Sequence, residues 1–174
     1  YGGEIMHSVT EVARYFIQAY EKYTQSNFEP SELKLQKMMY FIQKHSYAFT
    51  GKPAFDAQFE GWAHGPVLKE LRFFLGNDYI EPVDESLISD ELKYVVGNVL
   101  YKYAEYEAWK LRNLSHEEGA WLKSREGLGE EARGSNVIQE SDIIEDASKM
   151  RIYDHEFDMY IDEYSDWEEC LSEC

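Results

Sequence analysis

Cysteine is almost absent from this chain, and the little that is present lies at one end. Two of the 174 residues are cysteines, Cys170 and Cys174, so no disulfide framework can staple a core. This scarcity fits a reducing compartment, and we expect a cytoplasmic protein. The spacing of the pair is compatible with a thiol switch, but two bystander thiols at a frayed terminus are the favoured interpretation.

Long apolar runs and the common catalytic motifs are also missing. No run of about 18 apolar residues is present and no signal-peptide core is visible, so we expect no transmembrane helix. The chain has no glycine-rich phosphate loop, nucleophile elbow or His-Glu-x-x-His pair. Its five histidines are scattered, whereas zinc needs clustered cysteine or histidine ligands. The sequence predicts no catalytic residue, metal or cofactor, with a cryptic metal-dependent hydrolase as an alternative.

Basic side chains are few, because 17 Lys and Arg residues stand against 34 Asp and Glu residues, a net charge of −17. A surface this acidic repels phosphate backbones and anionic membranes. We therefore expect no direct nucleic-acid or membrane binding, and a basic protein partner is favoured. The charge is uneven, because residues 140–174 hold 13 acidic and 2 basic side chains.

Core material is ample, with 44% hydrophobic and 16% aromatic residues in a length that fits one domain. Apolar residues recur at three- and four-residue steps, which predicts helices. Ser8 and Ser31 are expected N-caps, and Ser8 with Glu11 has the spacing of a capping box. Further caps are expected at Ser89 and at Ser141-Asp142. The predicted helices cover about residues 9–24, 32–49, 66–75, 90–100, a short stretch near 121, and 142–149, and residues 103–114 form either a further helix or a continuation of the one before.

The segments between these helices complete the predicted organisation. Residues 53–63 alternate weakly in polarity and predict a short β-hairpin or extended segment, and residues 126–136 predict a surface loop. We predict a mainly α fold, a single compact multi-helix domain over residues 6–150, with Met6 as the expected native start. Residues 151–174 are predicted to form an acidic, aromatic-rich segment that is helical.

The turn around Trp62 and His64 is the first candidate for partner binding. Gly65-Pro66 follows it and is expected to open the helix over 66–75. Trp62 could form a partner-binding ledge, because tryptophan is enriched at interface hot spots, but a buried tryptophan under the helix start is favoured. His64 could shuttle protons, but a hydrogen-bonded turn histidine is favoured.

The second candidate is a stripe of aromatic residues among acids in the C-terminal segment. It could be a terminal helix docked on the protein's own core, or an element that engages a basic partner. Its members lie at helical spacing and are Tyr153, Phe157, Tyr160 and Tyr164. Elsewhere, Lys34, Lys37 and Lys44 form a modest basic strip on the second helix. It could bind phosphate or an acidic partner, but a solvated helix face is favoured.

Four segments, taken in order, resemble a known family. Residues 35–41 (Leu-Gln-Lys-Met-Met-Tyr-Phe) resemble its Leu-Gln-Lys-Leu-Leu-Tyr-Tyr pattern, and residues 51–55 resemble its Gly-Lys-Pro-Leu-Phe segment. Residues 62–67 resemble its Trp-x-x-Gly-Pro-Val turn, and residues 114–121 its Leu-(Ser/Thr)-His-x-x-x-x-Trp segment. Together they resemble the Panacea domain of SocA-like antitoxins and phage-associated GepA-type proteins over about residues 8–150. The motif residues are Leu35, Gln36, Lys37, Tyr40, Trp62, Gly65, Pro66, Val67, Leu114, His116 and Trp121.

The chain departs from the family pattern at two places. Ala120 stands where a proline usually precedes the tryptophan, and Glu60-Gly61 stands where an apolar or small pair is usual. The resemblance implies a non-enzymatic antitoxin that neutralises a cognate toxin, expected to be basic, by direct binding. In SocA-like members it also implies an adaptor that hands the toxin to a ClpXP-type protease. The alternative is a phage-encoded regulator or nucleic-acid mimic that acts on a host protein.

Overall fold

The first two helices begin where serine side chains cap them. In the computed structural model, which describes residues 6–76, 80–164 and 171–172, α1 spans Val9–Thr24 and α2 spans Glu32–Thr50. Ser8 accepts a hydrogen bond from the N–H of Glu11, and Ser31 accepts one from the N–H of Lys34. Both predicted helices and both predicted caps are confirmed.

Helix α2 runs through the centre of the fold and is covered along most of its length. Residues 35–43 are all buried. The helix packs against α3 (Asp90–Tyr103), α4 (Ala108–Ser115) and α6 (Glu140–Ser148). Because buried polar groups need partners, its buried Gln36, Lys37 and Gln43 side chains bond to backbone groups of other segments. Gln43, for example, accepts from the Ala54 N–H and donates to the Phe55 carbonyl, both at 2.9 Å.

The predicted basic strip on α2 is wrong, because neighbouring elements cover the helix and use its lysines. Lys37 is buried and 1% exposed. Lys34 donates to the Ala104 carbonyl at 3.0 Å. Lys44 pairs with Glu118 at 2.8 Å, and both of these side chains are largely buried. Sequence periodicity cannot reveal this, because it assigns long charged side chains to solvent.

A two-stranded antiparallel hairpin follows α2. Strand β1 (Glu60–Trp62) pairs with β2 (Gly65–Val67), with Glu60 opposite Val67 and Trp62 opposite Gly65. The expected β element is present: β1 lies within the predicted range 53–63, and β2 lies just beyond it. The helix predicted over 66–75 is wrong: Gly65 has a φ of +106°, outside the helical region, and begins a strand. Two short 3₁₀ turns follow, at Lys69–Leu71 and Phe74–Gly76.

The later helices agree with the prediction in order and differ at their ends. Helix α3 starts after Ser89, whose Oγ accepts from the Leu92 N–H at 3.2 Å, as predicted. The region predicted as 103–114 holds the end of α3 and the separate helix α4. The short helix α5 spans Gly119–Ser124, and the predicted cap at Ser141-Asp142 is wrong because both residues lie inside the first turn of α6. Residues 126–136 form a mostly exposed loop, as predicted.

Residues 153–160 of the C-terminal aromatic segment form a hairpin where a helix was predicted, whereas residues 162–164 are helical. Strand β3 (Tyr153–Asp154) pairs with β4 (Met159–Tyr160). The Asp154 carboxylate accepts the N–H groups of Glu156 and Phe157, and Asp158 adopts a φ of +56°. The helix prediction is wrong here because this local side-chain turn competes with helical hydrogen bonding. Residues 1–5, together with Cys170 and Cys174, lie outside the described residues.

This C-terminal hairpin packs on α3. The His155 N–H donates to Asn98 Oδ1 at 3.2 Å, and the Tyr153 ring stacks on Tyr101 with centroids 6.0 Å apart. Burial alone would raise the pKa of Asp154, but hydrogen bonds from Tyr94, the backbone and Tyr164 lower it. The mainly α fold is thus confirmed, with two small hairpins. Across the described ranges, no helix has the length and apolar character needed to cross a membrane.

Candidate partner-binding surface

Buried polar side chains of α2 hold the β1–β2 hairpin by its backbone. Gln36 accepts from the Leu68 N–H at 2.8 Å and donates to the Leu68 carbonyl at 3.0 Å. Lys37 donates from Nζ to the Pro66 carbonyl at 2.7 Å. Because a buried backbone group left unpaired costs about 1–3 kcal/mol, these bonds fix the position of β2 and its exit.

Lys37 is a buried cation with an altered titration. Burial lowers the pKa of its ammonium from the ordinary value to about 7, while Glu32 opposes that change and Arg112 adds to it. The amine therefore exchanges its proton near neutral pH. It can donate to the Pro66 carbonyl in either protonation state, so the clamp on β2 does not depend on the charge.

A second set of side chains holds β1. Trp121 donates from Nε1 to the Trp62 carbonyl at 2.9 Å, and Arg125 donates to the Gly61 carbonyl at 2.9 Å. The His116 ring stacks on Trp121 with centroids 4.0 Å apart. The hairpin is therefore held by backbone bonds from α2 on one strand and from α5 and its C-terminal end on the other.

The motif residues share one role, which is to build this hairpin or the core around it. No hydrogen bond among these motif residues joins a nucleophilic side chain to a basic one, as a catalytic pair would require. In the core or packed against it are Leu35, Tyr40 and Leu114; in the hairpin are Trp62, Gly65, Pro66 and Val67; beside it are Gln36, Lys37, His116 and Trp121.

The outer side of the hairpin displays an indole flanked by two arginines. Trp62 is half-buried, and the guanidinium carbons of Arg72 and Arg133 lie 5.1 and 6.0 Å from its ring centroid. These three side chains, with His64 and the apolar Leu33, line a groove of about 370 Å³. The stacking distances are those of cation–π contacts.

Two more exposed aromatic side chains extend this surface. The His64 ring lies 5.7 Å from the ring of Trp109, which is 54% exposed. Phe73 is 77% exposed, and the Arg72 guanidinium lies 5.2 Å from its ring centroid. We call this surface the hairpin face and define it as Trp62, His64, Arg72, Phe73, Trp109 and Arg133.

Phe73 is held in an unfavourable backbone conformation. Its φ of +66° lies in the left-handed region, which a bulky side chain rarely adopts. Such strain is of the order of 1–3 kcal/mol and persists when the surrounding structure enforces it. The fold therefore projects a strained, exposed aromatic ring beside Arg72.

The structure unites the first predicted pair of residues and extends it. Trp62 and His64 lie on one face, and the expectation that Trp62 is buried beneath a helix start is wrong, because no helix starts there. Sequence reasoning missed the other four members of the hairpin face, which are Arg72, Phe73, Trp109 and Arg133. Arg72-Phe73 offered a weak signal as a cation beside an aromatic residue, whereas no local pattern connects Arg133 with the hairpin.

The second predicted group lies on a different element, the C-terminal hairpin. Tyr153 and Tyr160 pack edge-to-face on each other with centroids 5.1 Å apart. Tyr164 donates its hydroxyl to Asp154 at 3.1 Å. Phe157 is 68% exposed, so of the four it offers the most open apolar surface. Among residues 6–76, 80–164 and 171–172, no three His, Cys, Asp or Glu side chains are grouped so as to hold a metal ion.

The fold and the site define a helical domain that displays a clamped surface hairpin. The family model described as "Antitoxin SocA-like, Panacea domain" matches residues 35–122, half of the chain. The chain belongs to this SocA-like Panacea family, and the resemblance found in the sequence is confirmed over that interval. The interval contains every motif residue and the whole β1–β2 hairpin. No curated protein sequence and no solved structure matches the chain.

Proposed function

We propose that this protein is a cytoplasmic antitoxin that neutralises a cognate toxin by binding it directly through the hairpin face. The observation that carries the proposal is the combination of family membership with an exposed aromatic and arginine surface built on the family's own motif. Tryptophan and arginine dominate binding energy at protein interfaces. The backbone clamps from Gln36 and Lys37 keep this surface ordered before binding, which reduces the entropy lost on association.

The charge of the chain favours a toxin that is basic overall. A net charge of −17 attracts a basic protein over long distances and raises its association rate more than its final affinity. Occlusion of the toxin surface would then block its activity. We propose no catalytic step, because the buried polar side chains at the motif, Gln36 and Lys37, are already bonded to backbone.

Delivery of the toxin to a ClpXP-type protease is a second, separable role. It needs a surface that stays open while the toxin is bound. The C-terminal hairpin is our candidate, because Phe157 is exposed at its turn and the hairpin packs on α3 rather than on β1–β2.

A Phe157→Ala variant is expected to neutralise toxin normally while slowing toxin degradation.

The binding role is tested by co-expression with the product of the neighbouring gene, scored as colony formation. We expect the full chain to restore growth and Trp62→Ala/Trp109→Ala to fail, because hot-spot tryptophans each contribute about 2 kcal/mol or more. Tyr23→Ala is the matched control, since Tyr23 is 50% exposed and lies outside the hairpin face. Full rescue by the double variant would remove the hairpin face from the mechanism.

Replacing Phe73 separates stability from binding. Glycine adopts a positive φ freely, so Phe73→Gly is expected to leave the free energy of unfolding unchanged or raise it by up to about 1 kcal/mol. Loss of the exposed ring is expected to weaken toxin binding about tenfold. Thermal unfolding and titration calorimetry measure the two effects. Phe157→Gly, which removes an exposed ring elsewhere, should leave the affinity unchanged; equal losses in both variants would contradict the assignment.

A further inference from the structure

We propose that the hairpin face binds an acidic segment of the partner, with carboxylates held by Arg72 and Arg133 and an apolar side chain in the groove beside Trp62. This inference rests on the proposed function and specifies the chemistry of the segment that the toxin presents. At this contact a basic patch of the chain meets an acidic segment, although overall the acidic chain attracts a basic partner.

The hairpin face is a cationic area in an acidic protein. Arg133 is exposed, and no carboxylate of the described chain pairs with it. Arg72 has one carboxylate partner, Glu32, with 3.3 Å between the closest atoms and both side chains about one-third exposed. Arg112 stacks on Trp109 at 4.5 Å and keeps a buried Nε without a hydrogen-bond partner. Two carboxylates lie nearby: Glu32 lines the groove, and Glu60 is already bound by Lys69 at 2.9 Å and by the Trp62 indole N–H at 3.0 Å. Among the described residues neither of them pairs with Arg133, so its guanidinium can accept a further carboxylate as a partner.

The arrangement of these arginines suits a carboxylate. A guanidinium that rests over an aromatic ring is positioned by that ring, and its N–H edge can still form a two-pronged bond with a carboxylate. Arg72 and Arg133 both lie over the ring of Trp62, so two such donors share one platform. The groove adds apolar walls from Leu33 and Val67, which can accept an aliphatic or aromatic side chain next to the carboxylates.

A peptide segment fits this surface better than a nucleic acid. Nucleic acid brings a phosphate at every step, and the acidic remainder of a chain with a net charge of −17 repels such a polymer. A protein segment carries a few carboxylates beside apolar side chains. Such a segment can place its carboxylates on the arginines while the rest of a basic partner faces the acidic surface of this chain. The two sets of contacts together fix the orientation of the partner as well as its affinity.

Selection from a phage library of random dodecapeptides on the immobilised full chain tests the inference. We expect the natural sequence to enrich peptides that combine Asp or Glu with an aromatic or branched aliphatic residue. The charge reversal Arg72→Glu/Arg133→Glu should lower retention of those peptides at least about tenfold. Arg72→Lys/Arg133→Lys keeps the positive charges but loses the two-pronged guanidinium geometry. Its retention of the peptides should lie between that of the natural sequence and that of the charge-reversed variant.

Arg151→Glu is the matched control, because Arg151 also stacks on an aromatic ring, at 3.6 Å from Tyr160, but belongs to the C-terminal hairpin. It should retain the same peptides as the natural sequence. Equal retention by the charge-reversed protein, or enrichment of basic peptides, would overturn the inference. So would saturable binding of a labelled single-stranded RNA or DNA that the charge reversal abolishes.

The growth-rescue assay separates this inference from the proposed function. If the natural sequence selects acidic peptides but rescues no neighbouring-gene toxicity, the surface chemistry is supported and the antitoxin role fails. If the natural sequence and the charge-reversed variant rescue growth equally, the antitoxin role is supported and the acidic-segment inference is overturned.

Discussion

Gly65→Ala is expected to lower the free energy of unfolding by about 3–5 kcal/mol, a large effect for a single added methyl group. The added Cβ would lie 2.5 Å from Lys37 Cε and still closer to Ser115 Oγ. Both neighbours are buried, so neither side chain can swing away without opening the core. The φ of +106° adds backbone strain for any residue with a Cβ. Urea-induced unfolding measures the change.

Two other glycines separate the contributions to this effect. Gly127 has a φ of +80° but no neighbour within 4 Å of the position that a Cβ would take, so Gly127→Ala reports backbone strain alone, about 1 kcal/mol. Gly129 has open space and no positive φ, and Gly129→Ala should be neutral. If Gly65→Ala proved no worse than Gly127→Ala, the tight approach of β2 to α2 and α4 would be refuted. Under the proposed function the Gly65→Ala variant should also lose toxin neutralisation, because the hairpin carries Trp62 and His64.

Lys37 is expected to make the protein more stable as the pH rises from neutral. Its folded-state pKa, lowered to about 7 by burial, lies below the unfolded value. Between those two values the unfolded chain binds one more proton than the folded chain, so the free energy of unfolding increases with pH. From about pH 7.5 to about pH 9.5 we expect a gain of about 2–3 kcal/mol from this group. Below pH 7 both states are protonated and the full destabilisation remains.

Lys37→Met is the variant that isolates this dependence, because methionine fills a similar volume without a titratable group. The rise in the free energy of unfolding between these two pH values should disappear in Lys37→Met. The variant should be less stable at both pH values, because its Pro66 carbonyl is left unpaired. Lys102, whose pKa is also lowered by burial, is present in both proteins, so the difference between them reports Lys37. Lys34→Met on the same helix, where the lysine is partly exposed, is the control. Parallel pH profiles for the natural sequence and Lys37→Met would show that the ammonium is not desolvated.

The elements with local signals agree with the sequence prediction. Ser8 and Ser31 cap α1 and α2 because a side-chain oxygen can reach an N–H three residues later without help from the rest of the chain. The apolar periodicity of these helices is equally local. The two failed helix predictions, at 66–75 and 153–160, both had apolar residues at helical spacing. In each, backbone turns at Gly65 and Asp158 redirect the chain into a hairpin.

The family motif was visible in the sequence, but its physical role was not. Gln36 and Lys37 look like solvated helix residues beside Leu35, whereas the structure uses them as donors to the backbone of β2 and its exit. The donors that hold β1, Trp121 and Arg125, come from a distant part of the chain. A pattern read over a few residues cannot show such pairs, because each bond joins segments that meet only after folding.

The sequence by itself determined the mainly α class, the positions of the first helices, the excess of acid and the membership of the SocA-like Panacea family. These properties depend on composition, on short-range hydrogen bonds and on the order of motifs along the chain. The tertiary structure decided that Lys37 is buried, that Gly65-Pro66 begins a strand, and that Arg72 and Arg133 meet over Trp62. Desolvation and packing between distant segments set these features, and both act only once the core has formed.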